Sequence, residues 1–335
     1  MIARYFHILD NKKIKCTLCP KNCVIPTGKT GSCKVRKNID GELIAETYRQ
    51  YTSLAFDPIE KKPLYHFFPG KEILSLGSLG CNMHCQWCQN CEISQSDVKS
   101  YFSGLTSFSP ERILEIALQN PKNIGLAFTY NEPTIAIESN LELAALFYAS
   151  NLKNVLITNG YISSEALKEY LKYIHAFNVD VKAFRNEIYL KYTGAKLSNV
   201  LMSIEQIAAS GKHLELTYLV VPGINDDLEQ FTDFIEWVKI VAGENTVLHI
   251  SKYFPRYKMK LAPTKEATLR LLANKASEKL NHVFVGNVLM NEFSNTVCPV
   301  CGDTIIRRVG YSVYIDKTIA DGCCNNCGAK IFVDH

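Results

Sequence analysis

The sequence lacks any apolar run long enough to cross a membrane, although 47% of its 335 residues are hydrophobic. Its longest apolar stretches, such as the one around Leu219 to Val221, fall far short of the roughly 20 residues that a bilayer requires. The opening residues, MIARYFHILDNKKIK, also lack the apolar core of a signal peptide. These two absences argue against the membrane and exported classes, and we expect a cytoplasmic protein with no membrane partner.

The sequence also lacks a strong excess of positive over negative residues, or the reverse. Lysine and arginine number 37 against 33 acidic residues, which gives a net charge of only +4. So mild an excess offers little attraction to a phosphate backbone, and we expect no nucleic-acid partner. The composition is that of an ordinary globular protein, and we expect its substrate to be a small molecule or another protein.

Cysteine, by contrast, is abundant and unevenly placed. The chain has 13 cysteines, and none of them lies between Cys91 and Cys298. They fall into three groups, at 16, 19, 23 and 33, at 81, 85, 88 and 91, and at 298, 301, 323, 324 and 327. Clustered cysteines in a chain without export signals indicate metal binding rather than disulfides.

The pattern between the cysteine groups predicts an α/β fold. Six short β-rich runs alternate with helical stretches, at 73–79, 123–129, 154–158, 176–182, 214–221 and 246–250. Such alternation predicts a parallel sheet with right-handed crossovers, either a full or partial β/α barrel or an open doubly wound sheet. We expect four regions: a four-cysteine metal-binding module at 1–50, a connector at 51–70, a core domain at 71–290, and a zinc-ribbon-like module at 294–335.

The central motif, GSLGCNMHCQWCQNC, follows the first predicted strand and contains Cys81, Cys85 and Cys88 in the spacing C-x3-C-x2-C. Three thiolates on one loop can bind three irons of a cubane and leave the fourth iron open for another ligand. A four-thiolate cluster with Cys91 as its fourth ligand and a zinc site are the alternatives. The loop follows a strand, which is where parallel α/β folds place their active sites.

These motifs resemble those of the radical SAM superfamily. CTLCPKNCVIPTGKTGSC, DPIEKKPLYHFFPG, FTYNEPTI and HISKYFPRYKM also resemble the AmmeMemoRadiSam-system radical SAM proteins, a group similar to the pyruvate formate-lyase activating enzymes. The resemblance covers nearly the whole chain. It implies a partial (β/α)6 TIM-like barrel, a [4Fe-4S] cluster on Cys81, Cys85 and Cys88, and reductive cleavage of S-adenosyl-L-methionine to a 5′-deoxyadenosyl radical.

The resemblance also assigns cofactor-binding positions. Glu132 in TYNEP matches the acidic residue that receives the methionine amino group, and Thr158 and Asn159 match a TNG segment near the cofactor. Asp180 and Lys182 match a D-x-K segment at a strand end, where the lysine can pair with the methionine carboxylate.

One glycine matches the family pattern, and two residues depart from the pattern of the activating enzymes. Gly80 lets the backbone pass close to the cluster and cofactor. Ile157 stands where the activating enzymes have an aspartate before TNG, which weakens the case for a bound monovalent cation. Thr217 stands where they have an arginine, which leaves one cofactor or substrate contact without its usual residue.

The outer cysteine groups predict two further metal sites. Cys16, Cys19, Cys23 and Cys33 lie in a short, turn-rich stretch that cannot build a core of its own, and both zinc and an auxiliary iron–sulfur cluster are compatible with them. The two C-x2-C-G knuckles of the tail predict a zinc ribbon, with Cys323 left over. Its expected ligands are Cys298, Cys301, Cys324 and Cys327, with a set shifted to Cys323 and rubredoxin-like iron as the alternatives.

We therefore expect a radical SAM enzyme that abstracts hydrogen from an unidentified substrate. One alternative is an activase of a glycyl radical enzyme, and another, from a different class, is a zinc-ribbon binding protein whose barrel is catalytically idle. The resemblance further implies Memo-like and AMMECR-like partner proteins and a reductant such as flavodoxin or ferredoxin. The catalytic side chains and the substrate are not specified by these motifs.

Overall fold

The computed structural model describes residues 1–101, 104–315 and 322–332, so small parts of the predicted core and tail lie outside the described residues. The strands of the N-terminal half are β1 Phe6–Ile8, β2 Ile14–Cys16, β3 Val24–Ile25, β4 Arg36–Ile39, β5 Glu42–Ala45, β6 Gln50–Tyr51, β7 Ser53–Pro58, β8 Glu72–Gly77 and β9 Thr106–Ser107. They continue with β10 Asn123–Phe128, β11 Lys153–Thr158, β12 Ala176–Val181, β13 His213–Val220, β14 Val247–Lys252, β15 His282–Gly286, β16 Thr296–Val297, β17 Thr304–Val309 and β18 Ser312–Ile315.

The α-helices are α1 Cys91–Ser94, α2 Pro110–Leu118, α3 Ile137–Ala149, α4 Ser164–Leu171, α5 Asn186–Thr193, α6 Leu197–Ala209, α7 Leu228–Ala242 and α8 Glu266–Ser277. Short 3-10 helices lie at Asp10–Lys12, Ile59–Lys61, Pro133–Ala136 and Asn291–Phe293. Ser109, Ser163 and Asp227 cap α2, α4 and α7 by accepting a hydrogen bond from an amide of the first turn. Within the described residues, no helix has both the length and the apolar character to cross a membrane.

One large sheet organises the chain, with the strand order β15-β14-β13-β12-β11-β10-β8-β7. The strands from β8 to β15 in this sheet run parallel to their neighbours, and β7 lies antiparallel to β8 at one edge. No pairing joins β7 to β15 in the described part of the chain, so the sheet is open. Since the parallel strands end at a common edge, the loops that follow them meet there.

The predicted alternation of strands and helices is confirmed. The six predicted strands correspond to β8, β10, β11, β12, β13 and β14, and the helical stretches expected between them include α2, α3, α4, α6 and α7. The structure adds α5 after β12 and a seventh parallel unit formed by α8 and β15. In the predicted connector, residues 53–58 form β7, and Pro58 precedes a 3-10 turn rather than an α-helix.

Small sheets flank the core at both ends. Strands β1, β2 and β3 form one antiparallel sheet and β4 and β5 a hairpin, while β16, β17 and β18 form a sheet in the tail. The N-terminal module is joined to the core by an ion pair between Arg36 and Glu138 of α3, with N–O distances of 2.9 and 3.0 Å. Both side chains are almost fully buried, which makes this contact part of the interior.

A buried carboxylate links the connector to the strands of the large sheet. Glu215 of β13 accepts hydrogen bonds from the backbone amides of Tyr65 (2.9 Å) and His66 (2.7 Å). Its oxygens also lie 2.9 Å from Nε2 of His213 and 2.5 Å from Nε2 of His249. Burial alone would raise the pKa of Glu215, but the two histidines hold it well below its ordinary value. Glu215 thereby fixes the connector on the sheet.

The tail attaches to the same part of the connector. The side chains of His66 and Thr296 lie 3.0 Å apart, and the Arg308 guanidinium donates to the Tyr65 carbonyl at 2.8 Å. The Arg308 guanidinium also lies 4.3 Å from the centre of the Tyr65 ring. The connector is thus held between the sheet on one side and the tail on the other.

We expect Glu215→Gln to lower the free energy of unfolding by about 3 kcal/mol at pH 7, because it removes a buried charge and leaves histidine partners poorly paired. Since the pKa of Glu215 is lowered by folding, its contribution is present above the ordinary carboxyl value of 4.5 and is lost as the pH falls. Urea unfolding at pH 7 and pH 4 measures the free energy of unfolding of both proteins. We expect Glu215→Gln and wild type to differ less in this free energy at pH 4 than at pH 7.

Glu229→Gln is the matched control, because Glu229 is a glutamate whose side chain is 84% exposed. We expect this change to alter the free energy of unfolding by less than about 0.5 kcal/mol at either pH. Equal urea midpoints for Glu215→Gln and wild type at pH 7 would contradict the assigned role.

Candidate active site and metal sites

The cysteine loop after β8 opens onto a cavity of about 620 Å³ that Cys81, Cys85 and Cys88 line together. In the described residues, these three sulfurs do not all lie within 4.8 Å of one another, whereas four sulfurs in the tail do. Zinc holds its thiolates closer, about 3.8 Å apart in a tetrahedron with bonds of about 2.3 Å. The wider spacing suits a cluster in which each thiolate binds a different iron. The residues therefore fit a [4Fe-4S] cluster.

The loop is held open by side chains from neighbouring strand ends. Asn131, after β10, accepts from the Ser78 amide at 3.0 Å and donates to the Gly80 carbonyl at 2.8 Å. Gly80 has φ +87°, and a Cβ there would lie 2.5 Å from the Cys33 carbonyl oxygen. Only glycine tolerates this conformation and this contact. The close approach at Gly80 is thus made to the N-terminal module, and the predicted approach to the cluster and cofactor stays a prediction.

Glu132 lies buried in the wall of the cavity. One carboxylate oxygen accepts from the Thr134 amide (3.0 Å), the Thr134 hydroxyl (2.6 Å) and the Thr158 hydroxyl (2.8 Å). The other oxygen accepts from the Asn159 amide at 2.8 Å. Burial raises the pKa of Glu132 above its ordinary value. Because a carboxylate oxygen can accept about two hydrogen bonds, the second oxygen retains capacity for another donor.

Asn159 and the Asp180–Lys182 pair complete the predicted set. Asn159 Nδ2 lies 3.7 Å from Cys81 Sγ and 2.9 Å from Asn82 Oδ1. Lys182 Nζ lies 3.0 Å from the Asp180 carboxylate. Burial alone would lower the pKa of Lys182, but the charge of Asp180 raises it, so the ammonium stays charged. All of these residues except Asn82 line the large cavity.

The DPIEKKP segment also reaches this cavity, although the sequence assigned it no chemistry. Asp57 accepts hydrogen bonds from Lys61 (2.7 Å), Lys62 (2.6 Å) and the Tyr130 hydroxyl (2.5 Å), and these three donors line the cavity. Burial would raise the pKa of Asp57, but its three donors lower it well below the ordinary range. In the sequence, the resemblance of this segment to the family motif was the signal that could have identified it. In the structure, the antiparallel pairing of β7 with β8 brings the segment to the cavity.

The first cysteine group surrounds a separate cavity. Cys16, Cys19, Cys23 and Cys33 all line it, together with side chains that include Arg36 and Asn82. Burial raises the pKa of the Cys19 thiol to about 12 and that of Cys33 to about 11, so metal binding there must release protons. The structure thus brings the four predicted ligands together in one place.

The tail cysteines are packed much more tightly. The sulfurs of Cys298, Cys301, Cys324 and Cys327 all lie within 4.8 Å of one another, with distances of 3.5 Å for the pair 298 and 327 and 3.6 Å for the pair 301 and 324. These values approach the roughly 3.8 Å edge of a zinc–thiolate tetrahedron. Cys323 stands outside this set and forms a β-bridge with Lys330.

Comparison with known proteins extends these observations. The model of the radical SAM superfamily matches residues 76–235. The protein MJ0808 of Methanocaldococcus jannaschii is 37% identical over 334 residues, which cover 98% of each chain. The 4-hydroxyphenylacetate decarboxylase activating enzyme of Clostridium scatologenes is 30% identical over 116 residues, or 34% of this chain and 37% of that enzyme.

A solved structure gives the same fold. Streptococcus suis SuiB bound to precursor peptide SuiA matches with a TM-score of 0.52 at 15% identity, over 68% of this chain and 51% of that chain. The family match begins at the end of β8 and includes the cysteine loop and the strand ends that carry Glu132, Asn159 and Lys182. The chain belongs to the radical SAM superfamily, whose members use a [4Fe-4S] cluster to cleave S-adenosylmethionine reductively and generate a radical.

Proposed function

We propose that Cys81, Cys85 and Cys88 hold the [4Fe-4S] cluster of this enzyme and that S-adenosylmethionine occupies the adjoining cavity. The cluster, when bound, supplies the electron that breaks the carbon–sulfur bond of S-adenosylmethionine and yields a 5′-deoxyadenosyl radical. The observation that carries the proposal is the convergence of three thiols, a buried carboxylate and a partly buried lysine on one cavity of about 620 Å³.

The opposite charges in the cavity suit the amino-acid part of S-adenosylmethionine. Glu132 has one oxygen with spare accepting capacity for the ammonium group, and Lys182 offers a charged donor for the carboxylate. Thr158 and Asn159 position the Glu132 carboxylate through two hydrogen bonds. Asp180 keeps Lys182 charged and restricts where its ammonium points. Fixing the methionine part in this way would orient the bond that is cleaved.

The substrate would meet the cavity near Lys61, Lys62 and Tyr130, and we propose that it is a small molecule or a residue of a protein. Activation of a glycyl radical enzyme is a second candidate, favoured by the 30% identity to the activating enzyme of Clostridium scatologenes. We also propose that the enzyme acts with Memo-like and AMMECR-like partner proteins. Its electrons would come from a reductant such as flavodoxin or ferredoxin. We also propose a cytoplasmic location, because the cysteines of the three metal-site sets form no disulfide and thiols persist in reducing compartments.

The flanking modules are proposed to bind further metal. Cys298, Cys301, Cys324 and Cys327 would hold one zinc ion, and the four cysteines of the N-terminal module would hold zinc or an auxiliary iron–sulfur cluster. The support for the tail site is the close sulfur spacing, together with burial of Cys298 and Cys324. With these assignments, the regions 1–50, 51–70, 71–290 and 294–335 are a metal module, a connector, the radical SAM core and a zinc ribbon.

The central assignment is tested by Cys85→Ala. We expect the reconstituted, dithionite-reduced wild type to form 5′-deoxyadenosine from S-adenosylmethionine, and the variant to form at least about 100-fold less, because a two-thiolate loop cannot hold the cluster. Cys91→Ala, at the start of the helix that follows the loop, is the matched control and should retain the activity. The product is measured by liquid chromatography.

Product formation by Cys85→Ala at the wild-type rate would contradict the assignment of this ligand. A wild type that carries a cluster whose electron paramagnetic resonance spectrum is unchanged by S-adenosylmethionine, and that forms no product, would favour the alternative of an idle barrel.

Glu132→Gln tests the contact to the methionine ammonium group. Replacing a charged acceptor by a neutral one should cost about 1.5–3 kcal/mol, which corresponds to roughly 10- to 100-fold weaker binding of S-adenosylmethionine. Equilibrium dialysis with the reconstituted protein gives the dissociation constant, and iron content should stay at the wild-type level. Glu165→Gln, an exposed position on α4, is the control, and unchanged affinity in Glu132→Gln would exclude this role.

The tail site is tested by the double change Cys298→Ser and Cys327→Ser. We expect the purified protein to lose about one zinc per chain while the absorption of the active-site cluster is retained, because two thiolates cannot complete a tetrahedral site. Elemental analysis by mass spectrometry measures the zinc. Cys323→Ser is the control and should keep it, whereas zinc loss in the control would shift the ligand set to Cys323.

A further inference from the structure

The cysteines of the active-site loop differ in the groups that contact their sulfurs. Cys81 Sγ lies 3.3 Å from the backbone amide of Met83 and 3.7 Å from the side-chain amide of Asn159. Cys88 Sγ lies 3.1 Å from the hydroxyl oxygen of Ser94. Ser94 is the last residue of α1, is buried, and lines the same cavity as the cysteines. A buried hydroxyl therefore faces the third thiol of the motif.

Gln95 fixes the direction of this contact. Its side-chain nitrogen Nε2 lies 3.1 Å from the Met83 carbonyl oxygen and 3.2 Å from Ser94 Oγ. Since a carbonyl oxygen can only accept, the amide turns its nitrogen to this side and donates to the Ser94 oxygen. The hydroxyl hydrogen of Ser94 is then left for the sulfur. A cysteine binds metal as its thiolate, which carries no hydrogen, so the hydroxyl donates and the Cys88 sulfur accepts.

The N-terminal module holds Gln95 in this orientation. Gln95 Oε1 lies 3.0 Å from Nδ1 of His84, and Nε2 of that histidine lies 2.8 Å from the hydroxyl oxygen of Ser32. The Lys34 ammonium donates to the Gln95 carbonyl at 2.5 Å. Gln95 is thus fixed through both its backbone and its side chain. The orientation of the Ser94 hydroxyl is therefore set by contacts other than the one to Cys88.

A hydrogen bond to a ligand sulfur acts unequally on the two oxidation states of an iron–sulfur cluster. The added electron makes the sulfurs more negative, so a donor held at one sulfur stabilises the reduced state more than the oxidised state. The reduction potential rises as a result. Because Ser94 is buried, water competes little for its hydroxyl, and a hydrogen bond to a charged acceptor is stronger there than at the surface.

We propose that Ser94 is a positioning residue for the reductive step, whose hydroxyl donates a hydrogen bond to the Cys88 thiolate, orients this ligand and raises the reduction potential of the active-site cluster. Gln95 turns the hydroxyl toward the sulfur. The inference rests on the proposed function, because it takes Cys88 as a cluster ligand. It adds to that function a residue outside both the cysteine triad and the side chains assigned to S-adenosylmethionine.

The test compares Ser94→Ala with wild type in the full, anaerobically reconstituted chain. The active-site cluster is identified by the change that S-adenosylmethionine causes in its electron paramagnetic resonance spectrum, and that signal is then followed in a redox titration without S-adenosylmethionine. At the wild-type midpoint potential, we expect the ratio of reduced to oxidised cluster to fall about 3- to 10-fold in the variant. A tenfold fall is a shift of about 59 mV to more negative potential for a one-electron couple.

Two further variants separate the hydrogen bond from general effects of substitution. Ser96→Ala is the matched control, because the Ser96 hydroxyl donates to the Glu92 carbonyl at 2.7 Å rather than to a sulfur, and its potential should equal that of wild type. Ser94→Thr keeps a hydroxyl at the position and should restore the wild-type potential. An unchanged potential in Ser94→Ala, or the same negative shift in Ser94→Thr, would overturn the inference.

The outcomes also separate this inference from the proposed function. A wild-type spectrum that responds to S-adenosylmethionine, together with an unchanged potential in Ser94→Ala, overturns the inference alone. If Cys88→Ala keeps the wild-type iron content and the responsive signal, the assignment of Cys88 as a ligand fails, and the inference fails with it. If Ser94→Ala loses the cluster, retention of the cluster by Ser94→Thr supports the hydrogen bond, whereas loss from both variants overturns it.

Discussion

The three thiols that we propose as cluster ligands must be held apart by the protein, yet Cys81, Cys85 and Cys88 lie on a loop that has no helix or strand at these positions. Neighbouring units supply the support. Asn131 bonds to the loop backbone after β10, the Asn82 side chain donates to a carbonyl after β11, and a carbonyl at the end of α5 accepts from the loop. Because these supports follow successive parallel strands, the register of the sheet sets the position of the sulfurs.

Much of the site could be predicted because its residues lie at strand ends. Hydrophobic runs mark β10, β11 and β12, and Glu132, Asn159 and Lys182 follow directly after them. Once the sheet is parallel, these carboxyl ends must meet at one edge, whatever the distances along the chain. The cavity lining bears this out in its geometry, since all three residues contribute to it together with the cysteines.

Other parts could not be predicted, for physical reasons. Asp57 and Tyr130 are 73 residues apart and meet only because β7 turns back to pair antiparallel with β8, an order that no local pattern specifies. Strand β15 has five residues and lies at the edge of the sheet, so its pattern is too short to identify by itself.

The two outer cysteine sites differ in how they meet solvent, and this difference bears on the lifetime of whatever they bind. Cys16 and Cys33 are buried within the N-terminal module, which packs against the active-site loop, whereas Cys327 is exposed. A ligand atom at the surface lets a competing thiol approach and replace protein bonds one at a time. A closed site exchanges its content only when the surrounding structure opens. A metal ion bound by the tail cysteines should therefore exchange with the surrounding solution faster than one bound in the N-terminal module.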